Sequence, residues 1–555
     1  KLVEDLFTMA GVPEGVVMGS ISPDGQFIYY LQDNKGHEMG HYVRIPYAGG
    51  EPQDITPGLP FYSAFGLSIC AQNNLLGFTA GLKDGFHVVV MNLKNGVSLE
   101  PPREIYYGTK MTFGPTLSAD GKIAALTSTE RSTFQRQSIM VMDTETGKSI
   151  AELSDGKESA VMSARFSQQN NDYRLLATSN RSGHTRPFIW NVLTGERLEI
   201  NTGNIAGDIS AGDWSPGGNS ILLSQSYQAE QHYYLYHLET QGITRLNHPS
   251  GAYGMNTYFA SDDELFALWE DATQPTKLIA FGTRPDSAAH TVLSAGKVPQ
   301  GHPWKSITFT SSDGQVIQGW LGLPYGKGPF ATILHTHGGP EVTTTNSYIP
   351  SSQAWLDHGF AFLAINYRGS VGFGKTFREK IWGDLGHWEI EDMVAARDWL
   401  IKEGISDPKK ILLTGWSYGA YLTLLGLGKR PDLWAGGMAG MATTDWAAEY
   451  DDLSPALRGY SVAIMGGTPQ EKPEQYAKSS PITYADYIQA PILIIQGRND
   501  TRTPARPVET FEAKLRSLDK KIEVHWYDAG HSGGGVEQDI EHMGLLLRFA
   551  LRIVT

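Results

Sequence analysis

A serine between two glycines, Ser417 in the stretch GWSYGAYLT, is the first residue of this chain that could do chemistry. The preceding KKILLTG has the composition of a buried strand, and the following GAYLTLLGLG has that of a helix. A Gly-x-Ser-x-Gly sequence between a strand and a helix is typical of a nucleophile elbow, in which the serine lies on a sharp turn. We expect positions 415 and 419 to require glycine, because such a turn leaves no room for side chains. The chain has 62 glycines, so the motif can occur by chance and is weak evidence alone. The assignment of Ser417 as a nucleophile therefore depends on whether the chain offers a base and an acid for it.

A serine hydroxyl needs a base to become a nucleophile, and the base needs a third group to orient it. Asp500 in ILIIQGRNDTRTP and His531 in VHWYDAGHSGGG each follow a predicted strand, and both come after Ser417 in the chain. Open α/β sheets place their sites at such strand ends. We therefore predict Ser417, Asp500 and His531 as a catalytic triad. Asp528 lies too near His531 in the same loop to be the more natural acid, and His525 falls within a strand.

Attack on a carbonyl builds an oxyanion, which needs hydrogen-bond donors already in place. The residue after the nucleophile offers one backbone N–H, here that of Tyr418. The segment THGGPE, after an earlier predicted strand, offers a second, and we select Gly339 as its donor. A plain turn is the alternative for this segment. We interpret His337 as part of the donor loop and not as a second base.

Other chemistries are not indicated by the sequence. There is no His-Glu-x-x-His, no pair of cysteines and no phosphate-binding loop, so we expect neither a metal nor a cofactor. The formal net charge of −14, without a basic cluster, argues against nucleic acid and anionic lipid as partners. No run of eighteen apolar residues is present, so we expect no membrane partner. Homo-oligomerisation stays open.

The one cysteine and the first residues bear on the compartment. Cys70 rules out an internal disulfide, and its neighbours GLSICAQNN predict a buried thiol on a strand. The start KLVEDLFTMAGVPEG lacks the basic and apolar regions of a signal peptide. We therefore expect a reducing, cytoplasmic location. A chain from which a signal peptide had been removed would look the same.

The elements that must position these residues fall into two parts, as expected for 555 residues. The first part, residues 16–297, repeats a serine that opens a polar turn before a strand, followed by a second strand pair. Four strands per unit and a period in the forties are typical of β-propeller blades, although a β-sandwich array or a β-solenoid is the alternative. Six blades can be counted, and a hairpin from Thr308 would make a seventh unless it belongs to the next domain. The repeated serines are 46 to 50 residues apart: Ser22, Ser68, Ser118, Ser167, Ser215 and Ser261.

After about residue 325, apolar strands alternate with segments of helical spacing, which predicts a mostly parallel sheet. Six ordered motifs stand in and beside this part: HGGP, NYRGSVGFGKTF, GDLGHWEIEDMVAARDWLI, GWSYGAYLT, QGRNDTRTP and DAGH. Together they resemble the prolyl oligopeptidase family of serine peptidases, and most closely its acylaminoacyl-peptidase branch.

The resemblance implies a two-domain fold, an N-terminal β-propeller of six or seven blades and a C-terminal α/β-hydrolase domain. We place the propeller at residues 16–300 and the hydrolase domain at 301–555, with residues 1–15 packing on the hydrolase domain. The resemblance implies the same triad and the same backbone donors. It adds Arg502, two residues past the acid, as a group that binds a substrate carbonyl or carboxylate; a solvated loop charge is the alternative.

The predicted function is that of a serine hydrolase acting on short or N-blocked peptides through an acyl-enzyme, with the propeller limiting substrate size. The alternatives are an esterase or amidase for small molecules and a propeller interaction module with an inactive hydrolase domain. Relatives that remove dipeptides use adjacent glutamates in the propeller, and this sequence has no Glu-Glu. Residues 441–467 are rich in apolar side chains. They could line an apolar pocket for the substrate residue next to the cleaved bond, or they could form a packed surface segment without a role in binding. We expect Glu449, Asp451 and Asp452 to lie on a solvated acidic face; the alternative is that they contact a cationic group of the substrate.

Overall fold

A computed structural model describes residues 19–33, 35–70, 72, 74–93, 101–254, 257–296, 298–531 and 535–555. The predicted packing of residues 1–15 lies outside the described residues. The boundary between the domains at residue 300 stays a prediction.

Six antiparallel sheets follow one another in the N-terminal part of the described chain and form a six-bladed β-propeller. The first five sheets have four strands each in sequence order, and the sixth has five, with β22 pairing on β23 beside β21. The strands are β1 (Gly19–Ile21), β2 (Phe27–Asp33), β3 (Gly40–Pro46), β4 (Gln53–Asp54), β5 (Ser63–Cys70), β6 (Leu75–Leu82), β7 (Gly85–Asn92), β8 (Arg103–Gly108), β9 (Thr112–Leu117), β10 (Ile123–Ser128), β11 (Ser138–Asp143), β12 (Ser149–Leu153), β13 (Val161–Phe166), β14 (Arg174–Ser179), β15 (Arg186–Asn191), β16 (Arg197–Glu199), β17 (Asp208–Trp214), β18 (Ser220–Tyr227), β19 (Glu230–His237), β20 (Ile243–Arg245), β21 (Ala252–Tyr253), β22 (Tyr258–Ser261), β23 (Glu264–Asp271), β24 (Gln274–Gly282) and β25 (His290–Ser294).

The repeated serines explain the tight hairpins that begin the first, third and fifth blades. The hydroxyls of Ser22, Ser118 and Ser215 each accept a backbone N–H from the residue five positions later, at 2.9, 3.1 and 3.1 Å. These bonds hold the polar turn between the first two strands, as serine does in side-chain-capped turns. Ser68 departs from the prediction, because it lies within β5 and not in the turn that follows.

Apolar side chains between neighbouring sheets form the propeller core. Between the third and fourth blades, Phe166, Leu175 and Phe188 are fully buried with Val141. Each such ring or branched chain contributes roughly 1.5–3 kcal/mol by leaving water. Cys70 is buried as predicted, and its Sγ donates to the carbonyl of Ala119 at 2.8 Å.

The C-terminal part is one eight-stranded sheet in the order β26-β27-β29-β28-β30-β31-β32-β33. The pairs β26–β27 and β27–β29 are antiparallel, and the remaining pairs are parallel. The hairpin from Thr308 is part of this sheet and not a seventh blade. The strands are β26 (Trp304–Thr310), β27 (Val316–Gly322), β28 (Phe330–Thr336), β29 (Ala361–Asn366), β30 (Ser406–Trp416), β31 (Gly436–Gly440), β32 (Ile492–Gly497) and β33 (Ile522–Tyr527).

Helices cover both faces of this sheet, so its central strands are apolar on both sides. Among the helices that the structure describes, none is long and apolar enough to span a membrane. The helices are α1 (Pro350–Asp357), α2 (Lys375–Glu379), α3 (Trp388–Lys402), α4 (Tyr418–Lys429), α5 (Trp446–Tyr450), α6 (Pro455–Met465), α7 (Pro473–Ser479), a 3₁₀ helix (Pro481–Tyr487), α8 (Ala505–Ser517) and α9 (Val536–Val554).

Candidate active site

Ser417 lies on the turn between β30 and α4, as the elbow motif predicts. Its backbone has φ 56° and ψ −120°, a conformation that a residue with a side chain rarely adopts. The turn is held because the N–H of Ser417 donates to the carbonyl of Gly440 at 2.8 Å and its carbonyl accepts from Tyr421 at 3.0 Å. Strain of this kind in a non-glycine residue is typical of functional sites.

The two flanking glycines are required by close approach to β28. A Cβ on Gly419 would lie 2.0 Å from the carbonyl oxygen of Thr336, and a Cβ on Gly415 would lie 2.6 Å from the same atom. Neither contact can be relieved by rotating a side chain, because Thr336 O is backbone. The end of β28 therefore lies directly against the elbow, and the loop that follows it reaches Ser417: a Cβ on Gly338 would lie 3.5 Å from Ser417 Cβ.

Asp500 and His531 are brought together at the same edge of the sheet. Asp500 follows β32 and His531 follows β33, and His531 Nδ1 lies 2.8 Å from Asp500 Oδ2. A carboxylate can only accept, so Nδ1 carries the proton and Nε2 is left to accept one. The side chain of Asp500 is fully buried and that of His531 nearly so.

The acid is held by a set of hydrogen bonds from its own loop. Oδ1 of Asp500 accepts from the N–H groups of Arg502 and Thr503 at 2.8 and 2.9 Å, and Oδ2 accepts from Thr503 Oγ1 at 2.7 Å. Burial acts to raise the pKa of Asp500, but the contacts with His531 and Thr503 outweigh it and hold that pKa below its ordinary value. Asp500 is therefore an ionised acceptor at neutral pH.

The rival residues have other partners. Asp528 is exposed and pairs with Lys35 of the propeller at 2.6 Å. His525 lies in β33, with Nε2 3.7 Å from Glu541. His337 is buried, its ring contacts Ser370 Oγ at 2.9 Å and the carbonyl of Gly338 at 2.7 Å, and burial lowers its pKa to about 4.

The predicted oxyanion donors stand on either side of the elbow. Gly339 has φ 118°, where a side chain would be strained, and a Cβ there would meet the N–H of Glu341 at 2.9 Å. Tyr418 is the first residue of α4, and the first N–H groups of a helix have no partner within it. Tyr418 thus follows Ser417 directly, and Gly339 follows Gly338, whose Cβ position lies 3.5 Å from Ser417 Cβ; the donor role of both residues stays a prediction.

Arg502 is close to the acid but is not free in solvent. Its Nε lies 2.6 Å from Oε2 of Glu38 in the propeller, and the two side chains are 48% and 23% exposed. The solvated-loop interpretation of Arg502 does not describe this ion pair. Sequence reasoning missed Glu38, since nothing in the local sequence links two residues 464 positions apart.

A loop of the first blade, residues 35–38, contacts the loops of both Asp500 and His531. The N–H of Gly530 donates to the carbonyl of Lys35 at 2.8 Å, and Thr501 Oγ1 donates to the carbonyl of His37 at 2.9 Å. The approach is so close that a Cβ on Gly530 would lie 1.9 Å from the carbonyl oxygen of Gly36. The propeller therefore reaches the site through backbone contacts.

Residues 441–467 divide between core and cavity. Trp446 packs against Tyr421 with ring centroids 5.5 Å apart, while Tyr450 and Val462 line a cavity of about 650 Å³ together with Phe86 of the propeller. None of the three triad candidates, all within the described chain, lines this cavity.

The expectation for Glu449 is wrong. This residue is only 1% exposed, and its carboxyl accepts the N–H of Thr444 at 3.1 Å. Burial raises its pKa well above the ordinary value. Its neighbours Asp451 and Asp452 are exposed, as an acidic face requires.

Comparison with known proteins identifies a family whose model matches the C-terminal part of the chain. Residues 346–555 match the model of the prolyl oligopeptidase family. Dipeptidyl aminopeptidase BIII of Pseudoxanthomonas mexicana is 29% identical over 290 residues, which cover 49% of this chain and 40% of that protein. Acylamino-acid-releasing enzyme 2 of Oryza sativa subsp. japonica is 29% identical over 202 residues, covering 35% of this chain and 26% of that protein. The match thus spans less than half the length of these curated relatives.

The fold as a whole has close counterparts among solved structures. A puromycin-hydrolyzing peptidase of Mycobacterium tuberculosis superposes with a TM-score of 0.82 at 15% identity, over 97% of this chain and 86% of that one. At that identity the likeness establishes the architecture of propeller and hydrolase domain and not the substrate.

Proposed function

Because residues 346–555 belong to the prolyl oligopeptidase family, we propose that this chain is a serine peptidase that cleaves short or N-blocked peptides through an acyl-enzyme. The observation that carries the proposal is the 2.8 Å hydrogen bond between His531 and Asp500 at the edge of the sheet where the strained Ser417 lies. Nucleophile, base and orienting acid are the parts that acyl transfer needs.

In the proposed reaction, Ser417 Oγ attacks the carbonyl carbon while His531 Nε2 takes its proton. Asp500 stays ionised and stabilises the imidazolium through Nδ1. The tetrahedral intermediate collapses as His531 returns the proton to the leaving amine. Water then attacks the acyl-enzyme by the same steps and frees Ser417.

We assign the stabilisation of the negatively charged oxygen in the tetrahedral intermediate to the N–H groups of Gly339 and Tyr418. Gly339 belongs to the loop that passes Ser417, and Tyr418 follows Ser417 directly. Removing one such donor typically costs about 10²–10³ in kcat.

Substrate size is expected to be limited by the propeller. Its loops contact loops that leave the carboxyl edge of the sheet: residues 35–38 contact the Asp500 and His531 loops, and the carbonyl of Gly183 accepts from the N–H of Lys375 at 2.8 Å. A folded protein could not reach a serine beneath this cover, whereas a short peptide could. An intact folded protein the size of casein should therefore be cleaved far less efficiently than a short peptide.

The preference for blocked over free N-termini rests on two considerations. One relative is named an acylamino-acid-releasing enzyme and another a dipeptidyl aminopeptidase. The sequence lacks the adjacent glutamates with which dipeptide-removing relatives bind a free amino group. The missing glutamate pair therefore favours a peptide with a blocked N-terminus as the substrate.

The test combines covalent labelling with three substrates. A fluorophosphonate should label the wild-type protein at Ser417, and Ser417→Ala should remain folded, unlabelled and at least about 10⁴-fold slower. Rates are compared on an N-acyl peptide, a free aminoacyl amide and a simple ester. Fastest turnover of the N-acyl peptide supports the proposal. Turnover of the ester alone makes the chain an esterase, and no labelling with no turnover makes it an inactive hydrolase domain.

A further inference from the structure

The side chain of Tyr418 points away from the reaction and into the hydrolase core. Its phenol oxygen donates to Glu389 Oε1 at 2.6 Å, and both residues are buried, Glu389 completely. A distance of 2.6 Å suits a hydroxyl that donates to an ionised carboxylate, the form that Glu389 takes above its raised pKa of about 7, and such a bond is stronger than a neutral hydrogen bond. The residue that offers its N–H to the oxyanion is thus tied to a buried acid.

Glu389 is itself fixed by the turn before its helix. Both of its oxygens lie 3.1 Å from the N–H of Gly386, and Glu389 is the second residue of α3. A carboxylate at this position also interacts favourably with the helix dipole. Gly386 has φ 74° and packs closely against α4, so that a Cβ there would lie 2.0 Å from Leu425 Cδ2.

The cationic side chains near Glu389 in the described part of the chain bond to groups other than its carboxylate. The guanidinium of Arg368 is taken by Asp392, one turn further along α3, at 2.6 Å. Lys429 at the end of α4 donates to the carbonyl of Gly386 at 2.9 Å. The aromatic neighbours are Tyr367 and Tyr421, whose pKa values are raised by burial and by the charge of Glu389.

Burying a carboxylate costs several kcal/mol, and an apolar residue in its place is often neutral or stabilising. We therefore propose that Glu389 is a positioning residue of the reaction: through the phenol of Tyr418 it fixes the first turn of α4, and with it the N–H that binds the oxyanion. This inference rests on the proposed function, because it assigns a role within that active site.

The consequence is specific to the transition state. The hydrogen bond between Tyr418 and Glu389 fixes the position of the Tyr418 backbone N–H. Displacing such a donor by about 1 Å can lower the rate about a hundredfold. Substrate binding in the ground state uses other contacts. We expect Glu389→Gln and Tyr418→Phe each to lower kcat about ten- to a hundredfold, with KM within about twofold. Tyr418→Phe keeps the backbone N–H and the ring and removes only the hydroxyl.

The experiment measures kcat and KM on an N-acyl peptide anilide, with active sites counted by fluorophosphonate so that misfolded protein is excluded. It also measures Ki for a peptide trifluoromethyl ketone, which adds to the serine as a tetrahedral oxyanion. Glu391→Gln is the matched control: it lies on the same helix but pairs with Arg430 at the surface, at 2.5 Å. The double variant Glu389→Gln with Tyr418→Phe completes a cycle.

The proposal expects Ki of the ketone to rise in parallel with the loss of kcat, the double variant to be no slower than the slower single one, and Glu391→Gln to match the wild type. It is overturned if both single variants stay within twofold of wild-type kcat, if only KM changes, or if the two losses multiply. Should Glu389→Gln fail to fold, Tyr418→Phe decides alone. A wild-type protein that neither labels nor turns over defeats the proposed function and this inference together, whereas an active wild type with unchanged variants defeats this inference only.

Discussion

Arg502 separates two accounts of the loop that carries the acid, and the perturbation is Arg502→Ala. The side chain makes one ion pair, 2.6 Å from Glu38, while the backbone N–H of Arg502 donates to Asp500 at 2.8 Å. The substitution removes the guanidinium and leaves that N–H in place. Asp500 and His531 should therefore stay where they are.

The magnitude follows from which bonds are lost. The pair with Glu38 is partly exposed, so it is worth about 0.2–1 kcal/mol and its loss should barely change Tm. A charge-assisted hydrogen bond from Arg502 to a substrate carbonyl or carboxylate is worth roughly 1.5–3 kcal/mol. We thus expect Arg502→Ala to lower kcat/KM on an N-acyl peptide about ten- to a hundredfold. A simple ester without the second carbonyl should be hydrolysed almost normally.

Glu38→Gln is the matched variant, because it releases Arg502 without removing it. Freeing the guanidinium from a pair worth at most about 1 kcal/mol can raise kcat/KM on the peptide by no more than about fivefold. The assay is kcat/KM of wild type and both variants on the peptide and the ester, with active sites counted by fluorophosphonate. Equal loss on both substrates in Arg502→Ala would refute the reasoning, since it would mean that Asp500 had been disturbed. No loss on either would leave Arg502 as a partner of Glu38 without a role in substrate binding.

Three further predictions concern the frame of the site. Gly419→Ala should destabilise the protein by at least about 1–3 kcal/mol and abolish labelling of Ser417, because its Cβ would lie 2.0 Å from the carbonyl of Thr336; Gly58→Ala, with open space around it, is the control and should keep the wild-type Tm. Asp500→Asn should lower kcat by about 10⁴ with little change in KM, because an amide no longer holds His531 in the required tautomer, and near-normal kcat would contradict that role. Burial raises the pKa of Glu389 from 4.5 to about 7, so ionising it in the folded protein costs about 3 kcal/mol, a cost absent at low pH and complete above pH 7. The Tm of Glu389→Gln relative to wild type should therefore rise by about 2 °C between pH 5 and pH 8, and a difference independent of pH would contradict the buried charge.

The elements that sequence predicted well are those whose causes are local. The turn at Ser417 is dictated by Gly415 and Gly419, and both turned out to face the backbone of Thr336. The blade repeat follows from serines whose hydroxyls bond five residues ahead. The strand ends before Asp500 and His531 can be read from apolar runs that stop at a polar loop.

The misses arise from tertiary structure, which the local sequence does not reveal. Glu449 stands beside two exposed aspartates, and its charge predicted the same environment; instead its carboxyl turns inward to the N–H of Thr444. Ser68 has the sequence of a turn serine, yet it lies within β5 and accepts the N–H of Leu117 from the next blade at 3.3 Å. Glu38 reaches Arg502 only after both domains have folded. The partners of Ser68 and Glu38 lie 49 and 464 residues away, so no local window contains them, whereas Glu449 bonds to a residue five positions away and is misjudged because its burial comes from the surrounding fold.

The two halves of the candidate site are therefore held by different means. Ser417 and the predicted donor Tyr418 are held inside the hydrolase domain, by the contact of Gly419 with Thr336 and by the bond of Tyr418 to Glu389. The loops of the acid and the base are held partly from outside, by the carbonyls of Lys35 and His37 in the first blade. These backbone contacts depend on where the domain lies, whereas the ion pairs that the side chains of Lys35 and Glu38 add, to Asp528 and Arg502 of the same loops, are exposed or partly exposed and contribute little. Side-chain substitutions in that loop should consequently affect the acid and base less than any displacement of the blade itself, while the elbow should respond to neither.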